Sequence, residues 1–320
     1  MPDITQRIVE TNGIKLNIAE LGSGPLVILC HGFPESSYSW RHQMRALAGA
    51  GYHAVAPDMR GYGASESPAD VGQFTMLHLV GDIVGLVGAL GETTCVVIGH
   101  DWGAPVAWHC ALLRPDIFRA VMALSVPYFP RSPVQPTTNM PQTAEAWFYQ
   151  LYFQKPGVAE AELEANVRST MRRMLFGGSG DNPARPGSIA LVPRSGGFLS
   201  NSPEPATLPA WITEADIDVY AAQYAMSGFR GGLNWYRNID RNWELLAPFA
   251  GAKVTVPAAF MAGDRDLVMA FPGVKTLVEN LKMFVPQLRA NILVPGCGHW
   301  IQQERPDEVN AAMLEFLRGL

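Results

Sequence analysis

The sequence predicts an α/β fold: a mostly parallel central sheet flanked by helices, its core divided by an inserted helical segment. Three observations carry this prediction. Short continuous apolar runs recur along the chain, several of them ending in Gly, His or Pro, as strands buried on both faces do. Helix-spaced apolar patterns lie between them. The alternation stops after Pro127, gives way to a stretch rich in Pro, Gly and aromatics, and resumes near Val256.

Taken in order, residues 14–19 (IKLNIA) alternate with period two and read as a half-buried strand. PLVILC at 25–30, HAVAP at 53–57, CVVIG at 95–99 and AVMALSV at 120–126 read as buried strands. Phe74, Leu77, Val80, Val84, Val87 and Leu90 share a helical face, with Thr75 near its start and Gly91 at its stop. A second helix runs from Ala104 to Leu113, ended by Arg114-Pro115. Beyond Pro127, residues 147–153 (WFYQLYF) are densely aromatic, and Leu163, Val167, Met171 and Met174 are helix-spaced. Residues 177–210 are roughly one third Gly plus Pro and predict a long irregular loop. Thr213 with Asp216 resembles a capping box for a helix on which Ile217, Tyr220, Ala221 and Tyr224 share a face and which closes at Gly228. VPAAFMAG and NILVP are the last strands. Val309, Ala312, Met313, Phe316, Leu317 and Leu320 line a terminal helix opened by Pro306. The implied organisation is core over 1–130, helical lid over 131–250 and core again over 251–320.

A chain of 320 residues, 48% hydrophobic and 17% charged, can bury a sizeable core, removing roughly three quarters of its unfolded surface from water. Lys and Arg number 24 against 29 Asp and Glu, a net charge of −5 without a basic stripe. That argues against nucleic acid and anionic membranes as partners, since both are held through Lys and Arg. Cys30, Cys95, Cys110 and Cys297 show no CxxC spacing and read as buried free thiols in a reducing compartment. Residues 1–12 do not resemble a secretory signal, and no apolar run approaches the ~20 residues that span a bilayer. A cytoplasmic protein without a membrane anchor is expected. No phosphate-cradling Gly-rich loop or metal-ligand spacing occurs, so neither cofactor nor metal is expected.

The chemistry gathers at strand ends. Gly99-His100-Asp101-Trp102-Gly103 follows a buried strand and precedes a helix, the small-x-acid-x-small pattern that a sharp strand-to-helix turn requires. Alone it fits a helix N-cap Asp better. His31-Gly32-Phe33-Pro34 follows the first long buried strand, where backbone N–H groups form oxyanion holes; the pair here would be Phe33 and Trp102. Gly263-Asp264-Arg265-Asp266 follows a late strand and Gly296-Cys297-Gly298-His299 the last. The chain order is therefore nucleophile, acid, histidine, each at a strand's carboxyl end, where open α/β sheets bind ligands. Among the other histidines, His31 and His100 flank the hole and the elbow and suit local hydrogen bonding. His42, His53, His78 and His109 have no chemical company.

HGFPESSYSWRHQ, DMRGYGASESP, GHDWGAPVAW, the GDRD element and GCGHW together resemble the soluble epoxide hydrolase branch of the α/β-hydrolase family, from about Ile8 to the C-terminus. The chain looks like the shorter plant and bacterial forms, without the N-terminal phosphatase domain of mammalian members. The resemblance implies Asp101 as nucleophile, His299 as general base and Asp266 as orienting acid, with Asp264 the weaker candidate. It places the two acid tyrosines at Tyr149 and Tyr236; spacing alone does not choose Tyr149 over Tyr152. It also implies a cis Phe33-Pro34 bond, and substrate contacts from Pro34, Trp102 and Trp300.

The implied substrate is a small apolar epoxide, and a homodimer through the lid is one expectation for assembly. A haloalkane or haloacid dehalogenase would share the Asp nucleophile, and Trp102 suits a halide donor. Phe33, where such enzymes usually carry Asn, and the two tyrosines argue against it. A hydrolase-fold receptor with little turnover is the reading from another class.

Overall fold

The computed structural model describes residues 3–183 and 190–320. Ten strands occur among them in chain order: β1 (Thr5–Thr11), β2 (Ile14–Leu21), β3 (Leu26–Cys30), β4 (His53–Pro57), β5 (Cys95–His100), β6 (Phe118–Leu124), β7 (Ala146–Phe148), β8 (Leu191–Pro193), β9 (Ala258–Gly263) and β10 (Leu288–Val294). Eight form one sheet in the order β1-β2-β4-β3-β5-β6-β9-β10. β1 and β2 form an antiparallel hairpin through Asn12-Gly13, both at positive φ, and β2 meets β4 antiparallel; every later pairing is parallel. The fold is thus the mostly parallel α/β-hydrolase sheet that the sequence predicts.

The apolar runs are continuous because both faces of the sheet are covered. Val27, Leu29, Val96, Ile98 and Met122 pack with α1 (Arg41–Gly49) and the terminal helix, whereas Ile28, Val97 and Val121 face α2 (Met76–Ala89) and α3 (Gly103–Leu113). All four cysteines are buried and free. Between β6 and β9 the chain leaves the sheet for α4 (Tyr149–Tyr152), α5 (Val158–Leu163), α6 (Val167–Gly177), α7 (Glu214–Ser227), α8 (Arg230–Arg237) and α9 (Ile239–Leu245). It then adds α10 (Val274–Glu279), α11 (Ile301–Glu304) and α12 (Pro306–Arg318).

Four local expectations need correction. The buried face of α2 is Met76, Leu79, Val80, Ile83, Leu86 and Val87; Leu77 is exposed, and Val84 and Leu90 only pack at the margin. An apolar helix wedged between β1 and α3 offers more than one hydrophobic stripe, and periodicity alone picks the wrong one. Leu163 and Met171 belong to different helices, because the Asn166 side chain accepts the Ser169 N–H and starts α6 anew. Residues 177–210 are not wholly irregular: β8 pairs antiparallel with β7, and residues 184–189 lie outside the described residues. Leu320 lies past the end of α12 and is exposed. The capping box does form, with Thr213 Oγ1 accepting the Asp216 N–H and Asp216 accepting from Thr213 N–H.

Helices α1, α8, α9 and α10 carry no strong sequence signal. In α8 the obstacle is Gly231-Gly232, a helix-weakening pair. A Cβ at Gly231 would meet the Gly61 carbonyl oxygen at 2.0 Å, so the pair exists to let α8 press onto the core.

Candidate active site

Asp101 stands on the turn between β5 and α3 with φ 49°, a left-handed conformation that few non-glycine residues adopt. The turn holds because its neighbours lack side chains. A Cβ on Gly99 would lie 2.0 Å from Gly103 O, one on Gly103 2.0 Å from Cys30 O, and one on Gly32 2.3 Å from the Asp101 side chain. The carboxylate is thereby pushed out at the carboxyl end of the sheet.

There it meets residues from three other strand ends. Phe33 N–H donates to Asp101 Oδ1 at 2.7 Å. Among the described residues Trp102 N–H, expected beside it, makes no hydrogen bond to the carboxylate; Trp102 occupies the N-cap position of α3 without a side-chain capping bond. The Phe33-Pro34 bond is cis. His299 Nε2 lies 3.2 Å from Asp101 Oδ2, and His299 Nδ1 lies 3.0 and 3.1 Å from the two oxygens of Asp266. Asp266 is fully buried and also accepts the Val268 N–H, whereas Asp264 is exposed and accepts from Gly296 N–H. Of the two acids, Asp266 faces the histidine.

Electrostatics follow from this packing. Burial disfavours ionised Asp101, but the His299 hydrogen bond and charge outweigh it and hold the carboxyl below its ordinary pKa. Burial likewise opposes a charged His299, yet Asp266 and Asp101 together raise it well above the usual imidazole value. The phenols of Tyr149 and Tyr236 are shifted up, chiefly by burial and further by the Asp101 charge, so both stay protonated.

Tyr149 begins α4 and Tyr236 sits in the last turn of α8; their rings meet edge-on at 5.8 Å. Both line a small cavity of about 50 Å³ with Phe33, Pro34, Asp101, His299 and Trp300. A larger one, about 440 Å³, is lined by Trp102, Pro105, His109, Trp243 and Phe271; Asp101, Tyr149 and Val268 border both. Tyr152 borders neither and instead donates to Glu162 at 2.7 Å. Among the described residues no group of three or more His, Cys, Asp and Glu is arranged to hold a metal ion.

Behind this set lies a polar layer that sequence reasoning largely missed. His100 Nε2 donates to the His299 carbonyl at 2.7 Å, and Ser125 Oγ donates to it at 2.8 Å. Because a carbonyl only accepts, Nε2 carries a proton, and Nδ1 lies 2.6 Å from Glu35 Oε2. Glu35 also accepts from Gly32 N–H, Gln302 and Gln303. Burial would raise Glu35, but His100 outweighs it and keeps the carboxyl below its usual value. His31 forms a neutral bridge: Nδ1 faces Gly32 O and Nε2 accepts the Met59 N–H. The one sequence signal for Glu35 is an acid placed two residues after the proposed oxyanion donor.

A family profile described as alpha/beta hydrolase fold matches residues 25–306. The chain is 47% identical to epoxide hydrolase A of Mycobacterium tuberculosis (strain ATCC 25618 / H37Rv), covering 99% of this chain and 98% of the relative. It is 44% identical to epoxide hydrolase 3 of Siraitia grosvenorii over 99% of both. Among solved structures, an epoxide hydrolase from an endophytic Streptomyces superposes with TM-score 0.96 at 46% identity, covering 100% of this chain and 96% of that one.

Proposed function

The chain belongs to the epoxide hydrolases of the α/β-hydrolase fold, and from that premise we propose that it converts apolar epoxides to vicinal diols through an ester on Asp101. The observation that carries this is the meeting of an ionised Asp101, backed by His299 and Asp266, with two protonated phenols in one cavity.

An epoxide carbon is a strained electrophile whose leaving group is an alkoxide. An Asp101 oxygen attacks that carbon in line and needs no prior deprotonation. As the carbon–oxygen bond of the ring breaks, its electron pair stays on oxygen, which takes a proton from Tyr149 or Tyr236. Alkylation also removes the charge of Asp101, one of the two that hold a proton on His299. The imidazolium then yields its proton, which restores the phenolate left by ring opening, and neutral His299 can act as base at the stage that requires one. It takes a proton from water, whose oxygen adds to the carboxyl carbon of Asp101. The resulting oxyanion is stabilised by Phe33 N–H, with Trp102 N–H as the second donor. Collapse expels the diol oxygen, which takes the proton of the newly formed carboxyl, and leaves the Asp101 carboxylate with one oxygen from water and His299 protonated as in the resting enzyme. The mainly apolar walls of both cavities favour aryl or alkyl epoxides.

Intact-protein mass spectrometry of His299→Gln, incubated separately with an aryl epoxide and a haloalkane, tests the proposal. The expected result is a gain equal to the whole epoxide, mapped to Asp101. An alkyl adduct from the haloalkane alone would assign the site to dehalogenation, and normal steady-state turnover by the variant would overturn the mechanism.

A further inference from the structure

His299 is not held by the core alone. Its own N–H donates to Gly178 O at 2.7 Å, and Gly178 follows α6 in the inserted segment. The N–H groups on either side of it end on a single carboxylate, Glu304. Glu304 Oε2 accepts from Gly298 N–H at 3.0 Å, and Oε1 accepts from Trp300 N–H at 3.1 Å. The same Oε2 accepts from Gly180 N–H at 2.8 Å, so one buried side chain ties the base loop to the insertion. Trp300 Nε1 adds a bond to Leu175 O at 2.7 Å.

The two backbones touch. A Cβ on Gly298 would meet Gly180 N at 2.1 Å and Gly178 O at 2.4 Å; one on Gly180 would meet Gly296 O at 2.4 Å. No cation pairs with Glu304 among the described residues; burial raises its pKa, and the three N–H groups, with the Ser179 hydroxyl at 3.5 Å, are what favour its charged form. A carboxylate can accept all three; a carboxamide cannot, because its NH₂ would face a donor.

We propose that Glu304 is a positioning residue that clasps the 178–180 turn of the insertion to the His299 loop and so sets the geometry of ester hydrolysis. This rests on His299 acting as the base of the second step. Ring opening uses Asp101 and the two phenols, none of which bonds to Glu304. Losing the clasp therefore slows hydrolysis and leaves alkylation, whereas a purely structural loss would lower the active fraction without changing the balance between steps.

The test is Glu304→Gln, with Gly180→Ala as an independent second variant because a Cβ at 180 wedges the same contact open. Rapid-quench mass spectrometry with an aryl epoxide reads the fraction of enzyme held as Asp101 ester during turnover. Both variants should accumulate ester and lose about 10- to 100-fold in kcat, with the alkylation rate within about twofold of wild type. A folded variant with the wild-type ester fraction would overturn the clasp, as would equal slowing of both steps. If Glu304→Gln does not fold, Gly180→Ala decides by the same readouts. Failure of the underlying reading looks different, since His299→Gln would then trap no ester at all.

Discussion

In the proposed reaction Asp101 and His299 exchange roles through charge. In the resting enzyme the low pKa of Asp101 keeps the nucleophile ionised, while the raised pKa of His299 is tolerable because attack does not need a base. In the ester only Asp266 supports the imidazolium. The two steps should therefore part on the acid side. Alkylation should be flat from about pH 5 to about pH 9, because the Asp101 carboxyl lies below its ordinary range and the phenols above theirs. Ester hydrolysis should fall as pH drops and His299 takes up a proton. Stopped-flow tryptophan fluorescence resolves the two, and parallel acid limbs would contradict this charge argument. The phenols are separable in the same way. Tyr149→Phe/Tyr236→Phe should slow alkylation by about 100-fold or more while substrate still binds. Weakened binding with unchanged alkylation would remove their role as acids.

At the scale of elements, the site depends on close approach. The elbow between β5 and α3 exists because Gly99 and Gly103 bring backbone to backbone, and Gly103 sits against the Cys30 carbonyl at the end of β3. That neighbour is main chain inside a parallel sheet and cannot yield cheaply. Gly103→Ala should cost about 3 kcal/mol or more by urea unfolding, and should displace Asp101 from Phe33 N–H in whatever folds. A stable, fully active Gly103→Ala would show that the elbow has slack the packing does not suggest. The same logic explains α8. Its glycines weaken the helix as a local object, yet they let it dock against Gly61, Phe33 and Tyr62 and so deliver Tyr236 to the cavity. A propensity argument sees the cost and not the contact.

Across the whole molecule the insertion and the sheet build the site jointly. The core contributes Asp101, Asp266, His299 and the Phe33 N–H from the ends of four strands; the insertion contributes both phenols and the turn that touches the base loop. Two cavities border Asp101, and the larger, lined in part by α3, would under the proposed reaction take the bulkier substituent of the epoxide ring.

Much of this was legible along the chain. The fold class, the buried strands, the Gly99–Gly103 elbow and the order of the Asp, Asp and His positions follow from apolar periodicity and from the glycines a tight turn demands, which are local properties. Resemblance, rather than spacing, pointed to Tyr149. Other features depend on residues far apart in sequence coming together. Packing turns Asp266 inward and leaves Asp264 in water, and it aims Tyr149 into the cavity while Tyr152 goes to Glu162. It closes the Glu35–His100 pair across 65 residues, sets His100 on the carbonyl of His299 across 199, and brings Glu304 to Gly180 across 124. No periodicity marks such residues, because a buried polar side chain is defined by the donors that surround it, and those donors assemble only when the chain has folded.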